Sequence, residues 1–164
     1  MTPVGEAMIS IRNAKTGEAA LLTALCIRSK AYWGYDATFM KLSAAALAIS
    51  EADIVAGRVL VAFDAAGRTI GVAGVVPEGE TADLDVMFVD PPAIGSGAGR
   101  VLFEAAVGLA RQFGARRMTI LADPNAASFY ERMGARFVRN APSDAIPGRM
   151  LPLYEYDLTS EGRS

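Results

Sequence analysis

The segment Ile94–Arg100, IGSGAGR, constrains the fold most, because it carries three glycines at alternate positions between a strand pattern and a helix pattern. The strand is predicted over Ala82–Asp90, and the helix is predicted to run to about Gly114. Glycine permits backbone conformations and close approaches that other residues do not. At the start of a helix, unpaired N–H groups and the positive end of the helix dipole converge. The segment therefore predicts an anion site, most naturally for phosphate, with Arg100 adding a charge beside it.

The rest of the chain alternates between strand and helix patterns in a regular order. The other predicted strands are Met8–Arg12, Arg58–Asp64, Thr69–Val76, Arg116–Leu121, Ala135–Val138 and Leu151–Leu158. The other predicted helices are one capped by Thr16 and running to about Ala31, one near Thr38–Ala45, a single turn beginning at Ser50, and one capped by Asp123 and ending near Gly134. The order β-α-α-β-β-β-α-β-α-β-β predicts an α/β (α+β) domain. Its sheet is mainly antiparallel, with about six or seven strands, about four flanking helices and one parallel strand–helix–strand unit.

Composition narrows the chemistry. The formal net charge is −2 and the basic residues form no run, so no nucleic-acid partner is expected. The sequence has no histidine and one cysteine, Cys26, which excludes Cys/His zinc sites and nucleophile systems with an imidazole base. We expect no metal, and we expect Cys26 to be an inert core residue. Proton transfer must then use Asp, Glu, Tyr, Lys, Cys, a chain terminus or water.

Neither a signal peptide nor a membrane span is visible in the sequence. The N-terminus lacks a basic stretch followed by an apolar one, and the longest apolar run, Ile70–Val76, is too short to cross a bilayer. We therefore expect a cytoplasmic protein with no membrane partner.

Two other phosphate loops fit the glycine segment poorly. A dinucleotide-binding loop needs G-x-G-x-x-G directly after its strand, whereas here the third glycine, Gly99, comes one residue early and DPPAI intervenes. A P-loop needs G-x-x-x-x-G-K-[ST], and no such stretch exists. A glycine-rich turn without a ligand is the remaining alternative.

From Leu84 to about Arg136 the sequence resembles the GCN5-related N-acetyltransferase (GNAT) family. LDVMFVDPPAIGSGAGRVLFEAAV is similar to that family's strand, V-x-P step and [QR]-x-x-G-x-[GA] loop running into a helix, although Ile94 stands where Gln or Arg is usual. NAASFYERMGARFV is similar to its second signature, through Asn125, Tyr130, Gly134 and Phe137. The strand order and the aromatic AYWGY segment match as well, so the resemblance covers nearly the whole chain.

The resemblance implies binding of acetyl-CoA as the cosubstrate. It places the pyrophosphate on the backbone of the loop and the pantetheine arm along a strand that splays from its parallel neighbour, with a backbone N–H near Phe88 facing the thioester carbonyl. The implied cosubstrate-binding residues are Met87, Phe88, Val89, Gly95, Ser96, Gly97, Ala98, Gly99, Arg100, Asn125, Ser128 and Tyr130.

The resemblance also implies direct transfer of the acetyl group to a primary amine, with Tyr130 as the general acid. From strand alternation, Asp83 and Asp85 point to one face, and Leu84, Val86 and Phe88 to the other. Either aspartate is a candidate general base, and two solvent-facing carboxylates without a catalytic role are the alternative. Trp33, Tyr35, Asp36 and, from across the sheet, Tyr154 are candidates for binding the acceptor amine, with core packing as the alternative for Trp33.

A single acetyltransferase domain, 1–164, is therefore expected. It divides into an acceptor-side part (1–80), an acetyl-CoA-binding core (81–140), a C-terminal strand region (141–158) and a frayed tail (159–164). A small-molecule amine is a more natural acceptor than a protein, and a homodimer through the C-terminal strands is expected. Two other functions compete with the enzyme: a catalytically silent CoA-binding or sensing module, and a nucleotide-binding oxidoreductase.

Overall fold

The computed structural model describes residues 8–159, which form a seven-stranded sheet with helices on both faces. The strands are β1 (Ser10–Asn13), β2 (Val59–Phe63), β3 (Thr69–Glu78), β4 (Thr81–Val89), β5 (Arg117–Leu121), β6 (Arg136–Pro142) and β7 (Met150–Asp157). The α-helices are α1 (Ala19–Ala31), α2 (Ala37–Leu47), the short α3 (Glu51–Val55), α4 (Ala98–Gln112) and α5 (Ala127–Arg132). Two 3₁₀ turns, Pro91–Ala93 and Pro124–Ala126, precede α4 and α5. The predicted fold class is confirmed, and the predicted tail lies, apart from Thr159, outside the described residues.

Side-chain caps start two of the five α-helices of the described residues, α2 and α3. Asp36 caps α2 by accepting from the Phe39 N–H at 2.8 Å, and Ser50 caps α3 by accepting from the Asp53 N–H at 3.0 Å. The predicted cap at Thr16 is wrong, because α1 begins at Ala19 after a turn in which Gly17 has φ 96°. The Glu18 carboxylate turns back to bond Arg12 and the Lys15 N–H instead of capping the helix.

The strand order is β1-β2-β3-β4-β5-β7-β6, and all neighbours are antiparallel except β4 and β5. One face packs against α4, and this core contains Leu84, Leu102 and Met118. The other packs against α1 and contains Leu22 and Val86. The fold thus buries both faces of the sheet, as apolar strands require.

The sheet opens between β4 and β5, which are paired over only part of their length. Their pairing covers only Thr81–Arg117, Ala82–Met118 and Asp83–Thr119, although β4 continues to Val89 and β5 to Leu121. Beyond Asp83 the two parallel strands therefore diverge, as predicted.

Strand β7 lies between β5 and β6 and is hydrogen-bonded on both sides. LPLYEYDL therefore has no unpaired edge through which to join a second chain, and β6 forms that end of the sheet. The homodimer through the C-terminal strands stays a prediction.

Candidate active site

A cavity of about 740 Å³ opens where β4 and β5 diverge. That volume lies within the range typical of small-molecule and cofactor sites. It is lined by the glycine segment, by the second half of β4, by the start of α5 and by parts of α1, α2 and the β6–β7 connection. Twelve of the predicted site residues line it: Trp33, Asp83, Asp85, Met87, Phe88, Val89, Gly95, Gly97, Gly99, Arg100, Asn125 and Tyr130.

The glycine segment presents its backbone to this cavity. Gly95 and Gly97 have φ of 88° and 93°, a left-handed conformation that favours glycine. Within the described chain the N–H groups of Gly95, Gly97 and Gly99 have no intramolecular acceptor. A Cβ on Gly99 would lie 3.3 Å from the Phe129 ring, so this glycine lets α4 approach α5 closely. The predicted anion site at the start of α4 fits this geometry.

The edge of β4 that faces the gap is the second part of the backbone that borders the cavity. The Asp90 N–H donates to the Ile70 oxygen at 2.8 Å, so the peptide of Asp90 faces β3. Because successive peptides of a strand point to opposite edges, Phe88 also directs its N–H towards β3. The N–H and C=O groups of Met87 and Val89 face the gap. The N–H groups near Phe88 that face the gap are thus those of its two neighbours, Met87 and Val89. Phe88 itself lines the cavity.

A β-bulge in β4 changes which residues share a face. Gly74 pairs with Val86 and Val75 with Leu84, which leaves Asp85 as the extra residue. Leu84 therefore packs on the α4 side, whereas Val86 packs on the α1 side. The predicted alternation, with Leu84, Val86 and Phe88 on one face, is wrong for this reason. Gly74 was the available signal, since an isolated glycine in a strand pattern suggests a bulge.

The bulge directs the Asp85 carboxylate into the cavity. A Cβ on Gly74 would lie 3.0 Å from Asp85 Oδ1, so the missing side chain makes room for it. Asp85 is exposed to the cavity but has protein on its other sides, and this partial burial, with the like charges of Asp83 and Asp53, raises its pKa to about 6. Asp83 differs, because its Oδ1 accepts from the Thr119 hydroxyl at 2.7 Å. Burial raises the pKa of Asp83 as well.

Tyr130 lies on α5, is 5% exposed and reaches the cavity wall. Its ring packs against Phe103 and Phe129. Within residues 8–159 its hydroxyl has no hydrogen-bond partner, and it is not sealed in the core. Burial, with a smaller contribution from the Asp123 charge, raises the pKa of Tyr130 above that of an ordinary phenol.

Six predicted residues do not line the cavity. The Ser96 hydroxyl accepts from the Ala98 N–H at 3.3 Å at the start of α4. Ser128 is exposed and accepts from Arg132. Asp36 is occupied as the cap of α2.

Tyr154 is buried and donates to Glu131 at 2.5 Å, which raises its pKa to about 12. Tyr35 lies behind the wall, where its hydroxyl donates to Asp123. Cys26 is fully buried and burial raises its pKa to about 12, in agreement with the expected inert role.

Sequence reasoning missed Lys30, Asp123, Asp144 and Arg149 as residues of the wall. Asp123 was predicted only as a helix cap, and it does accept from the Asn125 N–H at 2.8 Å. Its carboxylate also pairs with Lys30 at 2.5 Å. No local pattern signals such a pair, because the two residues lie 93 positions apart.

Comparison with known proteins identifies the family of this chain. The sequence matches the family described as acetyltransferase (GNAT) domain over residues 14–144, and the chain belongs to this family. No curated protein matches the sequence significantly.

Solved structures agree on the fold. A GCN5-related N-acetyltransferase from Rhodopseudomonas palustris is 23% identical, with a TM-score of 0.73 and coverage of 92% of this chain and 96% of that one. The PaiA N-acetyltransferase of Thermoplasma acidophilum, in complex with coenzyme A, is 16% identical, with a TM-score of 0.74 and coverage of 91% and 98%. YncA of Salmonella typhimurium, a putative acetyltransferase with its cofactor acetyl-CoA, is 24% identical, with a TM-score of 0.66 and coverage of 92% and 94%.

Proposed function

We propose that the protein transfers the acetyl group of acetyl-CoA to a primary amine of a small molecule, by direct attack of the amine. The observation that carries the proposal is the gap between β4 and β5. It brings unpaired backbone N–H groups, a carboxylate with a raised pKa and a buried phenol into one cavity. Acyl transfer to an amine needs such groups to hold the donor, take a proton and return one.

The residues present fit acetyl-CoA, which supplies an acyl group already activated as a thioester. The N–H groups of Gly95, Gly97 and Gly99 would hold the pyrophosphate, with Arg100 on the same wall. The peptides of Met87 and Val89 would bind the pantetheine arm as an added strand partner, and an N–H among them would stabilise the oxyanion.

Asp85 is the better of the two candidates for the general base. Its pKa of about 6 leaves it ionised at neutral pH but close enough to the working pH to take a proton efficiently. The Asp83 carboxylate is hydrogen-bonded to Thr119. Its negative charge would raise the pKa of Asp85 and attract the positive charge of the acceptor.

Tyr130 is the proposed general acid. A phenol with a raised pKa stays protonated in the resting enzyme and donates a hydrogen bond to the sulfur as negative charge develops there. Full proton transfer to a thiolate, whose conjugate acid has a pKa of about 8.5, is less favourable than from an ordinary phenol. The proton therefore moves late, when the carbon–sulfur bond is nearly broken.

Thermal unfolding tests the cosubstrate and thiol release tests the reaction. Ligand at a hundred times its Kd adds about 2.7 kcal/mol, a rise in Tm of about 5–10 °C for a chain of this size. Acetyl-CoA and CoA should produce that rise, and NAD and ATP should not. Thiol release from acetyl-CoA in the presence of assorted amines should follow. A rise without release for any amine would favour the silent CoA-binding module, and a larger rise with NAD would favour the oxidoreductase.

A further inference from the structure

The acceptor end of the cavity contains a compact cluster whose members come from four separate segments of the chain. We call it the Lys30–Arg149 cluster, and it consists of Lys30, Tyr35, Phe39, Asp123, Asn125 and Arg149. The Tyr35 and Phe39 rings stack at 3.9 Å with an interplanar angle of 9°. Both cations lie over these rings, with Lys30 Nζ 5.3 Å from the Tyr35 centroid and the Arg149 guanidinium 4.9 Å from that of Phe39.

The cluster contains two cations and one carboxylate. Asp123 Oδ1 accepts from the Asn125 main chain and side chain, and Oδ2 accepts from Lys30. The Tyr35 hydroxyl lies within hydrogen-bond distance of both oxygens. Arg149 approaches Asp123 only to 3.8 Å, beyond hydrogen-bond distance. These bonds outweigh the effect of burial and lower the pKa of Asp123, so it stays ionised but has little capacity left for Arg149.

The donors of Arg149 are therefore mostly uncommitted to an anion. Its Nη2 donates to the Tyr35 hydroxyl at 3.0 Å, and its side chain is 20% exposed. No side-chain nitrogen of the described residues is both sealed from solvent and unbonded, so the remaining N–H groups are open to solvent, and Arg149 lines the cavity. Lys30, 14% exposed, lines the same cavity. A partly buried guanidinium fork beside an ammonium group is suited to a carboxylate.

The same cavity carries the opposite charge elsewhere on its wall. Asp83, Asp85 and Asp144 line it, and Asp83 interacts electrostatically with both of the others. An amine is drawn to this side as an ammonium ion and loses its proton to Asp85. The cavity therefore offers both kinds of charge, carboxylates suited to a cation and the Lys30–Arg149 cluster suited to an anion.

We propose that the acceptor is a zwitterion, an amine that also carries a carboxylate, and that Lys30 and Arg149 bind this carboxylate. The inference rests on the proposed function and deepens it. It narrows the acceptor class from small amines in general to free amino acids and close relatives. It predicts rejection of polyamines, which would place a second cation against Lys30 and Arg149.

The test compares each of the common amino acids with its own carboxamide, and includes putrescine and spermidine, by thiol release from acetyl-CoA. For the best acceptor, kcat/KM should be at least 30-fold higher for the acid than for the carboxamide. Arg149→Gln should reduce this discrimination about 10–100-fold, mainly through the KM of the acid, and Arg149→Lys about 10-fold or less. Arg139→Gln is the matched control, because Arg139 bonds only its neighbour's carbonyl and lies outside the cavity. It should preserve the discrimination.

The outcomes separate this inference from the function it rests on. Equal use of acids and carboxamides, or a preference for putrescine or spermidine, overturns the zwitterion while leaving acetyl transfer intact. Loss of discrimination in Arg139→Gln to the same extent as in Arg149→Gln also overturns it. If Arg149→Gln does not fold, Lys30→Gln carries the same expectation on the acid/carboxamide ratio. Absence of thiol release with any amine, without a Tm rise from acetyl-CoA, defeats the proposed function instead.

Discussion

The two ends of the cavity are built from different parts of the polypeptide. At the glycine end the functional groups are backbone N–H groups, supplied by a single segment of the chain, Gly95–Gly99. At the acceptor end they are side chains such as Lys30, Asp85 and Arg149, brought together from segments far apart. The first end offers backbone groups whose placement depends on conformation, and the second offers side chains whose identity and charge differ from residue to residue.

This difference bears on Ile94, which stands where the GNAT pattern quoted above has Gln or Arg. A backbone anion site needs suitable φ values and a helix start that is open to the ligand. The Ile94 side chain is half-exposed beside the loop, so it neither donates a hydrogen bond to a ligand nor blocks the helix start. Replacement of side chains should thus have large effects at the acceptor end. At the glycine end, only changes that alter the backbone should matter.

The largest expected effect is that of Tyr130→Phe. Removing the hydroxyl deletes the proposed donor to the leaving sulfur, so kcat should fall about 10²–10³-fold while the Kd of acetyl-CoA stays within threefold. Tyr154→Phe is the matched control, because its hydroxyl bonds Glu131 away from the cavity. It should cost about 1 kcal/mol of stability and leave kcat unchanged. Full activity of Tyr130→Phe, measured by thiol release, would remove the general acid from the mechanism.

Asp85→Asn should lower kcat/KM about 30–100-fold at pH 7.5, because the amide cannot accept the amine's proton. The wild-type profile should fall on the acidic side with an apparent pKa of about 6, and the variant should lack that limb. Asp83→Asn should reduce activity less and shift the limb towards lower pH, since it removes a like charge. If the acidic limb of the pH profile persists in Asp85→Asn, the titration belongs to another group.

Stability should move in the opposite direction from activity in Asp85→Asn. The folded-state pKa of about 6 lies above the reference value of 3.8, so this carboxyl favours folding fully only below about pH 4 and loses that contribution as the pH rises through 6. At pH 7 the ionised form costs stability. Because the side chain is exposed to solvent, we expect the variant to gain at most about 1 kcal/mol, in chemical denaturation, with no gain near pH 4.

The sequence predicted the elements that depend on local patterns. Strand alternation, the helix start at Ser50 and the glycine segment all act within a few positions, and the order of elements along the chain followed from them. Tyr130 came from a motif resemblance and lies in the cavity, although its catalytic role stays a prediction.

Two features were not predicted, for physical reasons. The bulge at Asp85 reverses the faces of β4 by one residue, and alternation alone assumes that no residue is inserted. The Lys30–Arg149 cluster depends on contacts across 88 to 114 positions, as in the bonds of Tyr35 to Asp123 and Arg149. Single-residue patterns carry no information on such pairs, so the sequence alone did not predict the cluster.

Gly97→Val tests whether the glycine end depends on conformation. Valine at φ 93° is strained by about 1–3 kcal/mol, and the loop can relieve the strain only by rearranging its N–H groups. The Kd of acetyl-CoA should rise about 10–30-fold by isothermal titration calorimetry. Gly108→Ala is the control in the same helix, where a Cβ meets nothing within 4 Å, so it should preserve binding and raise stability by about 0.5–1 kcal/mol. Equal Kd values for the two variants would contradict a backbone site.

The smallest expected effect comes from a comparison of two exposed residues, one that lines the cavity and one that does not. Trp33 is 49% exposed and lines the cavity, whereas Ser128 is exposed outside it. Trp33→Ala removes an exposed cation–π contact to the amine, worth about 0.5–1 kcal/mol, so the acceptor KM should rise about two- to fivefold with kcat nearly unchanged. Ser128→Ala should leave both constants as they are. If Trp33→Ala lowers kcat and not KM, the ring positions the acceptor for attack instead of attracting it. Trp33 would then contribute to the chemical step and not only to acceptor binding.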